Sequence, residues 1–241
     1  KSKIHVNVVK GYTLPQTVDE ETVVIVISVS GNTAETLSVL ESAHSIGCKI
    51  IAFSSGGKIQ EYCENNKIEY RFVTRYNSPR ASFTSYLYTI LKVLRSTLKI
   101  KEDDIVESIT MLEKIGRKIN SSNLTDENPA LKLAECITSI PIIYYPFGLQ
   151  SAAIRFKNDL QENSKIHAMV ENIIETCHNG IVSWEKTSNV QPILIQGEGD
   201  FVKTKERWEI IKKYFKNNKI EYFEITSTSG SILSKMINLI Y

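Results

Sequence analysis

Thr22–Thr33 reads TVVIVISVSGNT, and Ala34-Glu35-Thr36-Leu37 follows directly. Six apolar or β-branched residues run into hydroxyls gathered around one glycine, and a helical pattern then begins. An unbroken run of this kind suits a strand buried on both faces, as in a parallel sheet. The turn Ser28-Val29-Ser30-Gly31-Asn32-Thr33 therefore falls where a strand hands over to a helix. Amides at a helix N-terminus lack intrahelical acceptors, and the helix dipole favours an anion there. Ser28, Ser30 and Thr33 add hydroxyl donors at the same spot, more than a helix cap requires. The stretch reads as a phosphate cradle. It is not a P-loop, because no Gly-Lys-Ser/Thr ending follows, and it lacks the glycine spacing of a dinucleotide fingerprint.

Working outward, the same alternation continues. Leu37, Leu40 and Ala43 share a helical face that Gly47 stops, and Cys48–Ser54 reads as a second buried strand. A short helix over 58–66 and a strand over 70–74 complete a β-α-β-α-β order, which argues for a parallel α/β sheet. Val6–Val9 is a further short apolar run with strand character. Helices are expected over 80–98 and 104–119, and the polar stretch 121–129 reads as a linker. That places two domains at 1–125 and 126–241. The second half repeats the theme more weakly: strands over 140–146, 192–195 and 220–225, with helices over 149–160, 206–215 and 231–241.

Composition excludes several classes. Hydrophobic residues make up 42% and charged residues 23%, ordinary for a globular protein, and the net charge is +2. So small a charge gives no broad electrostatic case for nucleic acid or a membrane surface. No apolar stretch approaches the ~20 residues of a membrane span, and the start has no signal-peptide pattern. Cys48, Cys63, Cys136 and Cys177 are scattered, which fits reduced thiols and a cytoplasmic location better than disulfides or structural zinc. The chain begins with Lys1 rather than Met, so residues are expected upstream.

The motifs now carry a resemblance. Ser28–Leu37, SVSGNTAETL, resembles the signature of sugar isomerase (SIS) domains, in which a Ser-x-Ser-Gly-x-Thr turn holds a sugar phosphate. Ser78-Pro79-Arg80-Ala81 looks like the Pro-Arg segment of one subgroup, the bifunctional phosphoglucose/phosphomannose isomerases. Arg155–Lys165, RFKNDLQENSK, is similar to that subgroup's Arg-x-Lys-Asn-x-x-Asn-Glu-Asn-Ala-Lys block, with Gln161 and Ser164 departing from it. Glu175-Thr176-Cys177-His178-Asn179 falls at its Glu-x-x-His-Asn segment.

The resemblance implies two SIS-type domains, each a mostly parallel sheet flanked by helices in an α/β/α sandwich. It implies that Ser28, Ser30, Gly31, Asn32 and Thr33 bind the phosphate of a small sugar. Glu162 then matches the catalytic base, His178 the residue that opens the sugar ring, and Arg80 a charge that stabilises the reacting carbons. The histidine is expected from a neighbouring subunit, hence a homodimer, with no nucleic-acid or membrane partner. A preceding strand ending in Gly-Gly-Ser and a closing segment with a threonine and a lysine are also implied, and neither has a match within these residues.

The chemistry suits those residue types. Interconverting glucose 6-phosphate, and mannose 6-phosphate, with fructose 6-phosphate moves a proton between C2 and C1 through a cis-enediol. One carboxylate can take and return that proton, best with a pKa near working pH, which partial burial of Glu162 would supply. Histidine titrates in the range useful for ring opening, and a guanidinium lowers the energy of an enediolate. Two other readings remain at this point: a non-catalytic sugar-phosphate sensor, and the isomerase half of an amidotransferase. His5, His44 and His167 read as ordinary surface histidines, and Cys177 beside His178 lacks the spacing logic of a thiol nucleophile. No cofactor and no metal are implied, since four scattered histidines supply no evident ligand cluster. Isomerisation is therefore expected to survive EDTA; loss of turnover with EDTA and its return with zinc would contradict this.

Overall fold

In the computed structural model, which describes residues 4–241, the opening run forms strand β1, Val23–Ser28. It leads through the serine turn into helix α1, Ala34–Ile46, which Gly47 ends in the left-handed conformation at φ 89°. β2 (Lys49–Ser54), α2 (Gly57–Asn65) and β3 (Glu69–Phe72) follow. The three strands are parallel in the order β1-β2-β3, with Val26 opposite Ala52 and Ala52 opposite Tyr70. Alternation along β2 separates two cores. Ile50 and Ala52 pack with Val26, Leu40, Ala43, Ile59 and Cys63 beneath α1 and α2. Ile51 and Phe53 pack with Val73 and Tyr86 beneath α3, Phe83–Leu98. Such burial on both faces is why β2 reads as a continuous apolar run.

The described chain divides into two compact units at Ile100/Lys101. This cut lies ahead of α4 (Glu102–Ile119) rather than in the polar stretch 121–129. The reason is packing: α4 lies along α9 (Ile232–Ile240) and against α5 (Pro129–Cys136), both in the second unit. Polar composition marks a loop, but contacts decide which unit owns the helix before it.

The second unit holds β4 (Ile140–Tyr145), α6 (Gln150–Asp159), β5 (Met169–Asn172), α7 (Ile173–Thr176), β6 (Val190–Gln196), α8 (Val202–Asn217) and β7 (Phe223–Thr226). All pairings are parallel in the order β5-β4-β6-β7. One face packs Tyr144, Leu194, Trp208, Ile211 and Phe215 under α8. The other packs Ile143, Ile193, Ile195 and Ala153 under α6 and its neighbours. Both units are thus α/β with parallel sheets flanked by helices.

Several expectations shift. Val6–Val9 is not a strand: it pairs with nothing among the described residues, and Val6 and Val8 are 68% and 73% exposed. β5, α5 and α7 arise where no clear period is visible. β5 has only four residues, too few for a pattern to register, and α5 depends on Asn128, whose side chain accepts from the amides of Ala130 and Leu131. Among the described residues no helix is long and apolar enough to cross a membrane.

α9 is docked through one carboxylate. Glu107 of α4 accepts the Ser231 amide at 2.9 Å and the Ser234 hydroxyl at 2.8 Å. The Ser231 hydroxyl, the Ser231 amide and the Ser234 hydroxyl together hold its carboxyl below the ordinary glutamate range. A lowered folded-state pKa contributes stability above the unfolded value and loses it as pH falls through the folded value. Glu107→Gln is therefore expected to lower the thermal midpoint at neutral pH, with the gap to wild type closing on acidification. An equal gap at all pH values, followed by circular dichroism, would refute this account.

Candidate functional site

The serine turn is built from its own side chains. Ser28 ends β1 and is 5% exposed; its Oγ accepts the Gly31 amide at 3.1 Å and shares a 2.8 Å bond with Thr33 Oγ1. The Ser30 Oγ accepts the Asn32 amide at 3.2 Å. Asn32 in turn accepts the Lys58 amide at 3.1 Å, and Gly31 O accepts that of Ile59 at 2.9 Å, so α2's start braces the turn. Gly31 sits at φ 68°, and a Cβ there would overlap the Gly56 carbonyl oxygen. Glycine is required twice over, for its dihedral and for the close approach of two backbones. Thr33 precedes α1 without capping it, leaving the first amides of the helix without an intrahelical acceptor. Ser30, Asn32 and Thr33 are exposed, whereas Ser28 is an internal brace.

Arg80 belongs to the same unit. It opens a 3₁₀ turn, Arg80–Ser82, set by Ser78, whose Oγ accepts the Ala81 amide and whose carbonyl accepts from Ser82 Oγ. The segment carrying it leaves the C-terminal end of β3, the same sheet edge at which β1 delivers the serine turn. Arg80 is half-buried.

Glu162 and His178 lie in the second unit, and the chain does not bring them together. Because β4 and β5 are parallel, α6 must run from the C-terminal edge of the sheet back to its N-terminal edge. Glu162 sits in a π turn, Leu160–Ser164, at the end of that return, where its carbonyl accepts from Lys165 Nζ at 2.6 Å. His178 follows α7, beyond the far end of β5; its amide donates to Glu175 O at 2.9 Å. The whole of β5 separates them, roughly 13 Å at strand rise before the flanking turns are added. Both side chains are exposed, so the partial burial expected for Glu162 is not present within the single chain.

Each edge has a cleft. One of about 330 Å³ at the N-terminal edge is lined by residues including Ser139, Lys165, His167 and Asn189. Another of about 250 Å³ at the C-terminal edge is lined by Tyr145, Phe147, Gly148, Gln150, Ser151 and Asn172. His167 carries no motif that singles it out in sequence, whereas Lys165 closes the Arg155–Lys165 block; the end of α6 places both beside Glu162's edge. Burial pushes the Cys63 thiol up to about 11 and raises that of Cys48, as expected of reduced structural cysteines. Among the described residues no group of three or more His, Cys, Asp or Glu is placed to hold a metal ion.

Comparison with known proteins gives these features a class. Residues 126–241 match the family described as the bacterial phospho-glucose isomerase C-terminal SIS domain. The chain is 32% identical to the bifunctional phosphoglucose/phosphomannose isomerase of Caldicellulosiruptor bescii, over all of its own length and 74% of the relative's. It is 30% identical to D-glucosamine-6-phosphate 4-epimerase of Sulfolobus acidocaldarius, over 75% of its own length and 58% of that protein's. The fold is similar to tagatose-6-phosphate ketose/aldose isomerase from Escherichia coli, with TM-score 0.66 and 11% identity over 93% of this chain and 69% of that one. The chain belongs to the bifunctional phosphoglucose/phosphomannose isomerase family of SIS-domain proteins.

The glycine at the centre of the turn offers a direct test. Gly31→Ala is expected to cost roughly 1–3 kcal/mol of stability through strain and overlap. The same variant should lose calorimetrically detected binding of inorganic phosphate. Unchanged stability and unchanged binding would remove the turn from consideration as the anion site.

Proposed function

We propose that the chain is a sugar-phosphate isomerase that interconverts glucose 6-phosphate, and mannose 6-phosphate, with fructose 6-phosphate without a metal. The observation that carries the reading is the Ser-x-Ser-Gly-x-Thr turn at the head of α1, in a chain of this family that also holds Glu162 and His178 sixteen residues apart around β5. Exposed hydroxyls and helix amides of the turn hold the phosphate, with Ser28 keeping its shape. His178 passes a proton to the ring oxygen and opens the sugar. Glu162 then takes the proton from C2, and the resulting enediolate is stabilised by the Arg80 guanidinium. Returning that proton to C1, with the hydroxyl proton of O2 passed to O1, completes the aldose-to-ketose change, so atoms balance without an external oxidant.

The topology supports an assembly as well. Groups at opposite ends of β5 in one chain cannot act on one sugar carbon skeleton, but two copies related by a twofold can bring Glu162 of one to His178 of the other. We therefore read the working form as a homodimer with His178 donated across the interface. That contact would also withdraw Glu162 from water. A cytoplasmic setting in carbohydrate metabolism, glycolysis and gluconeogenesis follows from this reading.

Complementation tests the reading. Glu162→Gln and His178→Ala are each expected to abolish turnover of fructose 6-phosphate in a coupled assay. Mixing and reassembling the two variants should restore about a quarter of wild-type activity, because half of the dimers are mixed and each has one intact site. Wild-type turnover by Glu162→Gln would displace it as the base, and failure of the mixture to recover would place the site within one subunit. Binding of fructose 6-phosphate without conversion would favour a sensor, and a product changed at C4 an epimerase.

A further inference from the structure

The turn that carries His178 rests on a carboxylate that none of the steps above uses. Glu171 lies in β5, in register with Tyr144 of β4 and on the face covered by residues 173–185. A Cβ built on Gly180 would stand 2.7 and 2.8 Å from the two Glu171 oxygens, so the carboxylate lies close over Gly180 and would have to shift to admit a side chain there. The Thr176 hydroxyl donates to Asn172 O at 3.0 Å and also faces the same carboxylate, and Thr176 is fully buried. Thr176 stands two residues before His178 and Gly180 two residues after it. Other supports of the turn are local or distant: the His178 and Asn179 amides donate to Glu175 O at 2.9 Å, and Trp184 Nε1 donates to Tyr144 Oη at 3.0 Å. Glu171 is the side chain that reaches from the rigid strand to both flanks of the histidine.

Its placement is costly. Among the described residues no cation pairs with it, and the facing charge is Glu175, of the same sign. Burial pushes its carboxyl up, the Thr176 hydroxyl opposes this, and Glu175 adds to the rise. A half-buried carboxylate without a counter-charge contributes little to stability, which points to a role in the site.

We propose that Glu171 is the positioning residue for His178: clasped between Thr176 and the Gly180 backbone, it fixes the turn from which the imidazole is presented to the sugar ring. The inference rests on His178 being the ring-opening group. Misplacing such a group by about an ångström can cost on the order of a hundredfold in rate while leaving a separately anchored phosphate bound.

The test uses the full chain with Glu171→Ala, Glu171→Asp, Glu171→Gln and Gly180→Ala, each checked by circular dichroism. Glu171→Ala and Gly180→Ala are expected to lower kcat about tenfold or more with KM for fructose 6-phosphate within about twofold, since only the proton donor moves. Glu171→Gln, which keeps the size and the contact with Thr176, should recover most of the rate. Glu171→Asp, one methylene short of both contacts, gives an intermediate loss and stands in should the alanine variant not fold. The His178 imidazole resonances in NMR spectra give a readout independent of turnover. They should move in the alanine and aspartate variants and return towards wild type in Glu171→Gln. Unmoved resonances with kcat within about twofold of wild type would overturn the proposal. A wild-type chain that does not isomerise, yet whose His178 resonances follow Glu171, would instead overturn the isomerase reading and leave the positioning of His178 standing.

Discussion

Burial of both faces of a parallel strand is the constraint on which the rest depends. β2 and β6 have almost no exposed residue along their length, and β4 is nearly as closed. Their backbone groups are paired within the sheet and their side chains are committed to packing. Chemistry can then reside only where strands end, on the loops that a rigid sheet holds in place. The serine turn, the Arg80 turn, the π turn with Glu162 and the His178 turn are all strand-edge structures. None lies within a strand or on the solvent side of a long helix.

The same constraint keeps Glu162 and His178 at opposite edges of the sheet in one chain. A parallel pair needs a return helix, and whatever stands at its far end is delivered to the opposite edge of the sheet. α6 does this to Glu162, while α7 keeps His178 at the other edge. Nothing about the two residue types reveals the separation, because the fifteen intervening residues could equally form a hairpin that juxtaposes them. The parallel register of β4 and β5 makes the difference.

How much of this is legible in sequence depends on how strongly each residue's environment is imposed. β2 and α1 can be read directly, since a continuous apolar run, a glycine stop and a 3.6-residue period all report burial on known faces; β1 forms where its apolar run predicts, but at the sheet edge it leaves Val23 and Ile27 exposed instead of burying both faces. The serine turn is legible for the same reason, being a cluster of hydroxyls at a predictable handover from β1 to α1. β5 is not, because MVEN offers an exposed Met169 and a half-buried Glu171 in four residues. Val6–Val9 misleads in the opposite direction: its composition favours a strand, but pairing decides, and it has no partner among the described residues. The unit boundary at Ile100/Lys101 depends on α4 lying along α9, a long-range contact that local composition cannot encode. Ser28 was legible as a member of the turn, yet its role as a buried brace rather than an exposed donor follows only from the 2.8 Å bond to Thr33.

Two carboxylates in the second unit show how environment pushes acids of one type in opposite directions. Glu107 and Glu171 each touch a glycine backbone and reach a hydroxyl from a neighbouring helix. Glu107 meets three donors and its charged form is favoured, so it strengthens the docking of α9 and resembles the anion at any helix N-terminus. Glu171 meets one hydroxyl, a like charge and a low-dielectric surround, so its charged form is disfavoured. A residue chosen for stability would not be placed so; an amide or an apolar group of the same size would serve better. What an amide-sized, strand-anchored group can still supply is shape and fixed position under the His178 turn. That is the property ring opening demands of whatever carries its proton.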